Sequence, residues 1–113
     1  MNNNILMEVK MNNFKMISAV EAKKLMDTTN CKILDVRTRE EFEESHIDNA
    51  ILLPLDEINE KVEKVFQDKN ETILVYCRSG VRSKQASHIM AEKGYTNILE
   101  FGGIIDWPFD IVL

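Results

Sequence analysis

The sequence predicts an α/β domain in which about five parallel strands form a sheet covered by helices on both faces. Three observations carry that expectation. Short runs of Ile, Leu and Val alternate with longer amphipathic segments along the whole chain. The apolar runs are continuous rather than alternating with polar residues, which is the pattern of strands buried on both faces. Several of the segments between them open with helix-capping signals. At 113 residues the chain has the length of one domain, enough to bury roughly two-thirds of the surface its unfolded form exposes.

The elements are expected in this order. Residues 15–17 form a short first strand. A helix follows, opened by Ser18 as N-cap with Glu21 three residues on, and Val20, Ala22, Leu25 and Met26 share one of its faces. "CKILDV" (31–36) is a compact second strand. Thr38 and Glu41 repeat the capping pattern for a short acidic helix anchored by Phe42. "AILLP" (50–54) is a third strand stopped by Pro54. Residues 55–66 form an amphipathic helix with Leu55, Ile58, Val62, Val65 and Phe66 inward. "TILVY" (72–76) is the fourth strand. A helix beginning near Ser83 and closed by Gly94 comes next, then a last strand at 97–101. Residues 1–13, rich in Asn, are expected to be a flexible tail, with the domain spanning 14–113.

Composition narrows the function classes. With 44% hydrophobic and 29% charged residues the chain is of ordinary globular type. A net charge of −5 argues against general nucleic-acid binding or attraction to anionic membranes, both of which need a basic face. No apolar run approaches the length of a membrane-spanning helix, and the opening residues lack the pattern of a signal peptide. The two cysteines, Cys31 and Cys77, show no metal-ligand spacing, so no metal site is expected. These features together predict a cytoplasmic protein with reduced thiols.

The chemistry concentrates in "VYCRSGVRS". In open α/β sheets, sites lie at the carboxyl ends of strands, where loops meet helix N-termini. Cys77 falls there, followed by Arg78, Ser79, Gly80, Val81, Arg82 and Ser83. Gly80 permits a tight turn, and the amides of the loop can then point at whatever sits on the sulfur. Such a cradle, with the helix dipole behind it, draws a thiol below its free pKa of about 8.5. Arg78 and Arg82 add positive potential for an anionic ligand. A lone cysteine after a strand is otherwise a packing residue; the glycine and the arginines favour a reactive thiol. Four residues, Arg78 to Val81, separate Cys77 from Arg82. That ring is one residue shorter than the phosphate-holding loop of cysteine phosphatases and fits the terminal sulfur of a persulfide better.

Taken with "LDVRTREEFEESHIDNAILLPL" and "FGGIIDW", this loop makes the chain resemble single-domain rhodanese-like sulfurtransferases over roughly residues 15–108. The resemblance implies a single rhodanese-like domain with a five-stranded parallel sheet and no cofactor. It also implies a ping-pong sulfur transfer. Cys77 takes a sulfane sulfur from a small anionic donor such as thiosulfate and passes it to cyanide, a thiol or a protein acceptor. Two other readings are a persulfide relay serving a protein partner and a small cysteine phosphatase or arsenate reductase. No oligomeric state is implied. Two glycines usual in the family are Ser45 and Asn49 here, and Asn tolerates the left-handed backbone a turn at that point requires.

Supporting roles fall to Asp35 and Arg37, at the same sheet edge as Cys77. Asp35 is expected to brace the loop by accepting N–H bonds, and Arg37 to pair with Glu40 or Glu41; the alternative is a salt bridge within the local turn. His46 is expected to stabilise a turn, and His88 to be a surface or packing residue. Trp107, Ile104 and Ile105 either border the pocket mouth or pack the core. Cys31 opens its strand while Cys77 closes a parallel one, which puts them about 16 Å apart and beyond disulfide reach.

Overall fold

The structure is a computed structural model that describes residues 14–113; the tail expected at 1–13 lies outside the described residues. Its chain order is β1 (Phe14–Met16), α1 (Ala19–Thr28), β2 (Lys32–Asp35), α2 (Arg39–Glu44), β3 (Ile51–Leu52), α3 (Leu55–Val65), β4 (Ile73–Cys77), α4 (Val81–Glu92) and β5 (Ile98–Gly103). A single 3₁₀ turn, Ile104–Asp106, ends the series. The five strands make one sheet in the order β1-β5-β4-β2-β3. Every pairing is parallel.

The apolar runs explain this order. All five residues of β4 are buried, which places it centrally, between β2 and β5. The less apolar β1 and the two-residue β3 take the edges, where short strands leave few unpaired backbone groups. Side chains alternate across the sheet and build two cores. One holds Leu34, Val36, Val75 and Cys77 with Ile58, Val62 and Phe66 of the α3 segment and Ala86 and Met90 of α4. The other holds Ile33, Leu74, Tyr76 and Phe101 with Ala22 of α1, and Trp107 packs against it.

Both predicted capping boxes are present, Ser18 with Glu21 and Thr38 with Glu41. Tyr95 satisfies the carboxyl end of α3, its hydroxyl donating to the Phe66 carbonyl and lying 3.2 Å from that of Val62. Gly94, at φ +100°, turns the chain out of α4. Asn49 does sit in the left-handed region at φ 69°. Ser45 needs no glycine, since its φ of −168° is extended backbone.

The boundaries differ from expectation around the loop. Helix α4 starts at Val81, two residues before Ser83, with Gly80 as its N-cap. β4 runs through Cys77 and β5 through Gly103, because a register shift between Val75 and Cys77 lets Cys77 pair with Gly103. Apolar content gave no sign of these two glycine-proximal pairings, which depend on close backbone approach.

Candidate active site

Cys77 ends β4 and is 1% exposed. The register shift sets it opposite Gly103, and Gly80, at φ +106°, curls the loop back beneath the sulfur. The Gly80 amide donates to Cys77 Sγ at 3.0 Å. Ser83 Oγ lies 3.4 Å from the same sulfur. Burial raises the pKa of this thiol, but the Ser83 hydroxyl and the amides of Ser83, Gly80 and Ser79 together outweigh it, and the thiol falls below its ordinary range. Gly80 is also the N-cap of α4, so the helix N-terminus begins beside the sulfur.

The loop is held from β5. Gly103 lies so near that a Cβ there would overlap the Arg78 carbonyl and the Ser79 Cα. The Ile105 amide donates to the Arg78 carbonyl at 3.2 Å. So the 3₁₀ turn borders the loop, as one of the two sequence readings had it. Trp107 does not; it packs between Phe101, tilted to it, and Phe109, edge-on to it, with ring centroids 5.3 and 5.1 Å away.

The other predicted residues divide. Arg78, Ser79 and Val81 are exposed at the loop, whereas Gly80 and Ser83 are buried beneath it. Arg82 is half-buried and faces Glu41 of α2, with contacts of 2.8 and 3.0 Å between the two guanidinium nitrogens and the two carboxylate oxygens. That pairing holds Glu41 down to about 2, against a smaller opposing effect of burial and with help from Thr38. A cavity of about 350 Å³, bordered by Val36, Thr38, Pro54, Leu55 and Arg82, flanks this pair.

Asp35 and Arg37 do not brace the loop or pair with α2; they form the alternative, a salt bridge within the local turn. Asp35 makes no bond to the cysteine loop; its carboxylate accepts from the Arg37 amide at 2.9 Å and from the Arg37 guanidinium at 2.7–3.1 Å. Arg37 therefore pairs with Asp35 and the Ser45 carbonyl, not with Glu40 or Glu41. The two charges are buried together, and mutual neutralisation replaces the lost water. They shape the β2–α2 turn rather than the loop. His46 stacks on Phe42, its Nδ1 lies 2.9 Å from the Phe42 carbonyl, and its backbone bridges Val112, a turn-stabilising position. Cys31 and Cys77 are both free, with Lys32 opposite Ile73 at the far end of the β2–β4 ladder from Cys77.

Sequence reasoning passed over Glu100. It is 1% exposed on β5 and touches Ser83. One signal was available: a single acid inside the apolar run "ILEF" has to find buried partners.

Comparison with known proteins agrees with this fold. The rhodanese-like domain family matches residues 18–107, and the chain belongs to that family. The thiosulfate sulfurtransferase PspE of Escherichia coli is 41% identical over 65% of this chain and 70% of its own length. The thiosulfate sulfurtransferase GlpE of Coxiella burnetii is 35% identical over 83% of this chain and 87% of its own. A tRNA uridine(34) hydroxylase of Erwinia tasmaniensis is 33% identical over 80% of this chain, which spans 27% of that enzyme. Among solved structures, a rhodanese with anions from E. coli superposes with a TM-score of 0.69 at 37% identity, covering 74% of this chain and 98% of that one. Among the described residues, no helix is long and apolar enough to cross a membrane.

Proposed function

We propose that this chain is a sulfurtransferase that carries a sulfane sulfur on Cys77. The observation that supports the reading most is the cradle around the sulfur, with the Gly80 amide 3.0 Å from Sγ and the N-terminus of α4 behind it. Relatives named thiosulfate sulfurtransferases make thiosulfate the first donor to consider.

The reaction follows from the geometry. The cradle holds the thiol below its ordinary range, which favours the thiolate, the form that attacks. It attacks the outer sulfur of thiosulfate; the sulfur–sulfur bond breaks and sulfite leaves with the electron pair. The new terminal sulfur carries the negative charge, and the cradle amides of residues 78–83 stabilise it as they did the thiolate. Cyanide or a thiol then attacks that terminal sulfur, and the Cys77 thiolate leaves. Arg78, exposed at the loop, supplies positive potential that draws the dianionic donor to a chain of net charge −5, while Arg82 shares its charge with Glu41.

A relay to a protein acceptor is the second reading. Val81 and Ile105 flank the loop and are 65% and 55% exposed, an apolar rim suited to a protein rather than to a small anion.

Thiocyanate formation from thiosulfate and cyanide tests the first reading, with Cys77→Ser as the control. Formation that depends on Cys77 supports it. Cys77-dependent hydrolysis of an aryl phosphate with no thiocyanate formed would overturn it.

A further inference from the structure

The cavity of about 350 Å³ beside the cysteine loop is not lined like a site for a small inorganic anion. Its apolar walls are Val36, just past β2, and Pro54 and Leu55 at the start of α3. The Leu55 amide donates to the Val36 carbonyl at 3.1 Å, which fixes the two walls to each other. Val36 is also the neighbour of Cys77 across the sheet. Asp35 pairs with Tyr76, the Val36 amide donates to the Tyr76 carbonyl at 3.2 Å, and the Val36 and Cys77 side chains share one core. Adjacent strands lie about 4.8 Å apart, so the apolar wall begins one strand away from the sulfur.

The charges around the cavity cancel or turn negative. Arg37 is paired with Asp35, and Arg82 with Glu41. Asp56, exposed at the start of α3, adds a carboxylate to the lining. A dianion therefore meets no surplus of positive charge there. An uncharged apolar group is taken out of water against Val36, Pro54 and Leu55, and a volume of this size holds a small one. A guanidinium has five N–H groups, and the two Arg82 contacts with Glu41 leave others to donate to an oxygen at the cavity's edge.

We propose that this cavity is a subsite for an apolar organic group on the sulfur donor. The chain then prefers organic thiosulfonates, R–SO₂–S⁻ with a small apolar R, to inorganic thiosulfate, and Leu55 is a specificity-determining residue. The Cys77 thiolate attacks the outer sulfur. The sulfur–sulfur bond breaks, and the sulfinate R–SO₂⁻ leaves with the electron pair. Each side of the step carries two negative charges, and no further reactant is needed. R is held in the cavity throughout, while Arg82 faces the sulfonyl oxygens. The proposal rests on the reading of Cys77 as the sulfur carrier.

The test compares benzenethiosulfonate, methanethiosulfonate and thiosulfate as donors to the full-length chain. Sulfur gained on Cys77 is followed by intact mass, and each rate is divided by that of the same donor with free glutathione. The normalised rate should be at least about tenfold higher for benzenethiosulfonate than for the other two. Leu55→Ser should remove most of that advantage. A second measurement on the wild type needs no reaction: benzenesulfinate should shift the amide NMR signals of Val36 and Leu55, and methanesulfinate should shift them less. Equal normalised rates overturn the proposal, as does an advantage that survives in Leu55→Ser. So does benzenesulfinate that leaves Val36 and Leu55 unmoved, even if Leu55→Ser fails to fold. If thiosulfate loads Cys77 and benzenethiosulfonate gains nothing, the functional reading stands and the subsite falls. If no donor loads Cys77 while benzenesulfinate shifts Val36 and Leu55, the functional reading falls and the subsite stands.

Discussion

Arg82 and Glu41, 41 residues apart in sequence, meet as a two-pronged ion pair at 2.8 and 3.0 Å beside the cysteine loop. Glu41 also closes the capping box of α2, accepting from the Thr38 amide at 3.0 Å. One carboxylate thus fixes a helix start and occupies the arginine that an anionic donor would approach. Glu41→Gln should free Arg82 and lower the thiosulfate KM about two- to fivefold, the equivalent of a pair worth up to about 1 kcal/mol. Steady-state kinetics at low salt would check this, and a raised KM would contradict it.

The same pair makes an acid-stability prediction. The Glu41 carboxyl sits at about 2 in the fold against an ordinary 4.5. Its folded value is depressed, so its stabilisation is complete above about 4.5 and is lost as pH falls toward about 2. Across that window the wild type should lose more stability in urea titrations than Glu41→Gln does. Equal losses would show that the pair is not maintained in solution.

Gly103 is where β5 touches the loop. A Cβ would overlap the Arg78 carbonyl, so Gly103→Ala should destabilise the fold by about 1–3 kcal/mol or displace the loop. Urea denaturation together with the Cys77 alkylation rate would register either outcome. A variant unchanged in both would contradict the close approach.

Asp35 and Arg37 are buried at 0% and 4% exposure, so removing one leaves the other uncompensated. Asp35→Ala should cost about 3–5 kcal/mol. The alkylation pH profile of the molecules that remain folded should be unchanged, because neither residue touches the loop. A large change in that profile without loss of stability would return Asp35 to the loop-bracing role that its sequence position suggested.

Local signals in the sequence were reliable where the structure they specify is local. The Ser18–Glu21 and Thr38–Glu41 boxes, the αL turns at Asn49 and Gly94, and the strand leading to Cys77 all involve residues close in the chain. The misplaced partners are long-range or depend on side-chain direction. Arg82 finds Glu41 only after α2 folds over the loop, and Ser83 meets Glu100 only when β5 lies beside β4. Arg37 prefers Asp35, two residues back, because both are buried in the same turn while Glu40 and the rest of α2's acids face outward or toward Arg82. The sheet order follows from which run is most apolar; the register shift at Cys77 does not, since it depends on a glycine more than twenty residues away.

The central claim is that Cys77 carries sulfur. Intact-mass measurement after incubation with thiosulfate tests it most directly, followed by addition of cyanide. The expected result is a gain of one sulfur atom on wild type, none on Cys77→Ser, and loss of the added mass once cyanide is present. A wild-type mass that stays unchanged with thiosulfate and other sulfane-sulfur donors would contradict it.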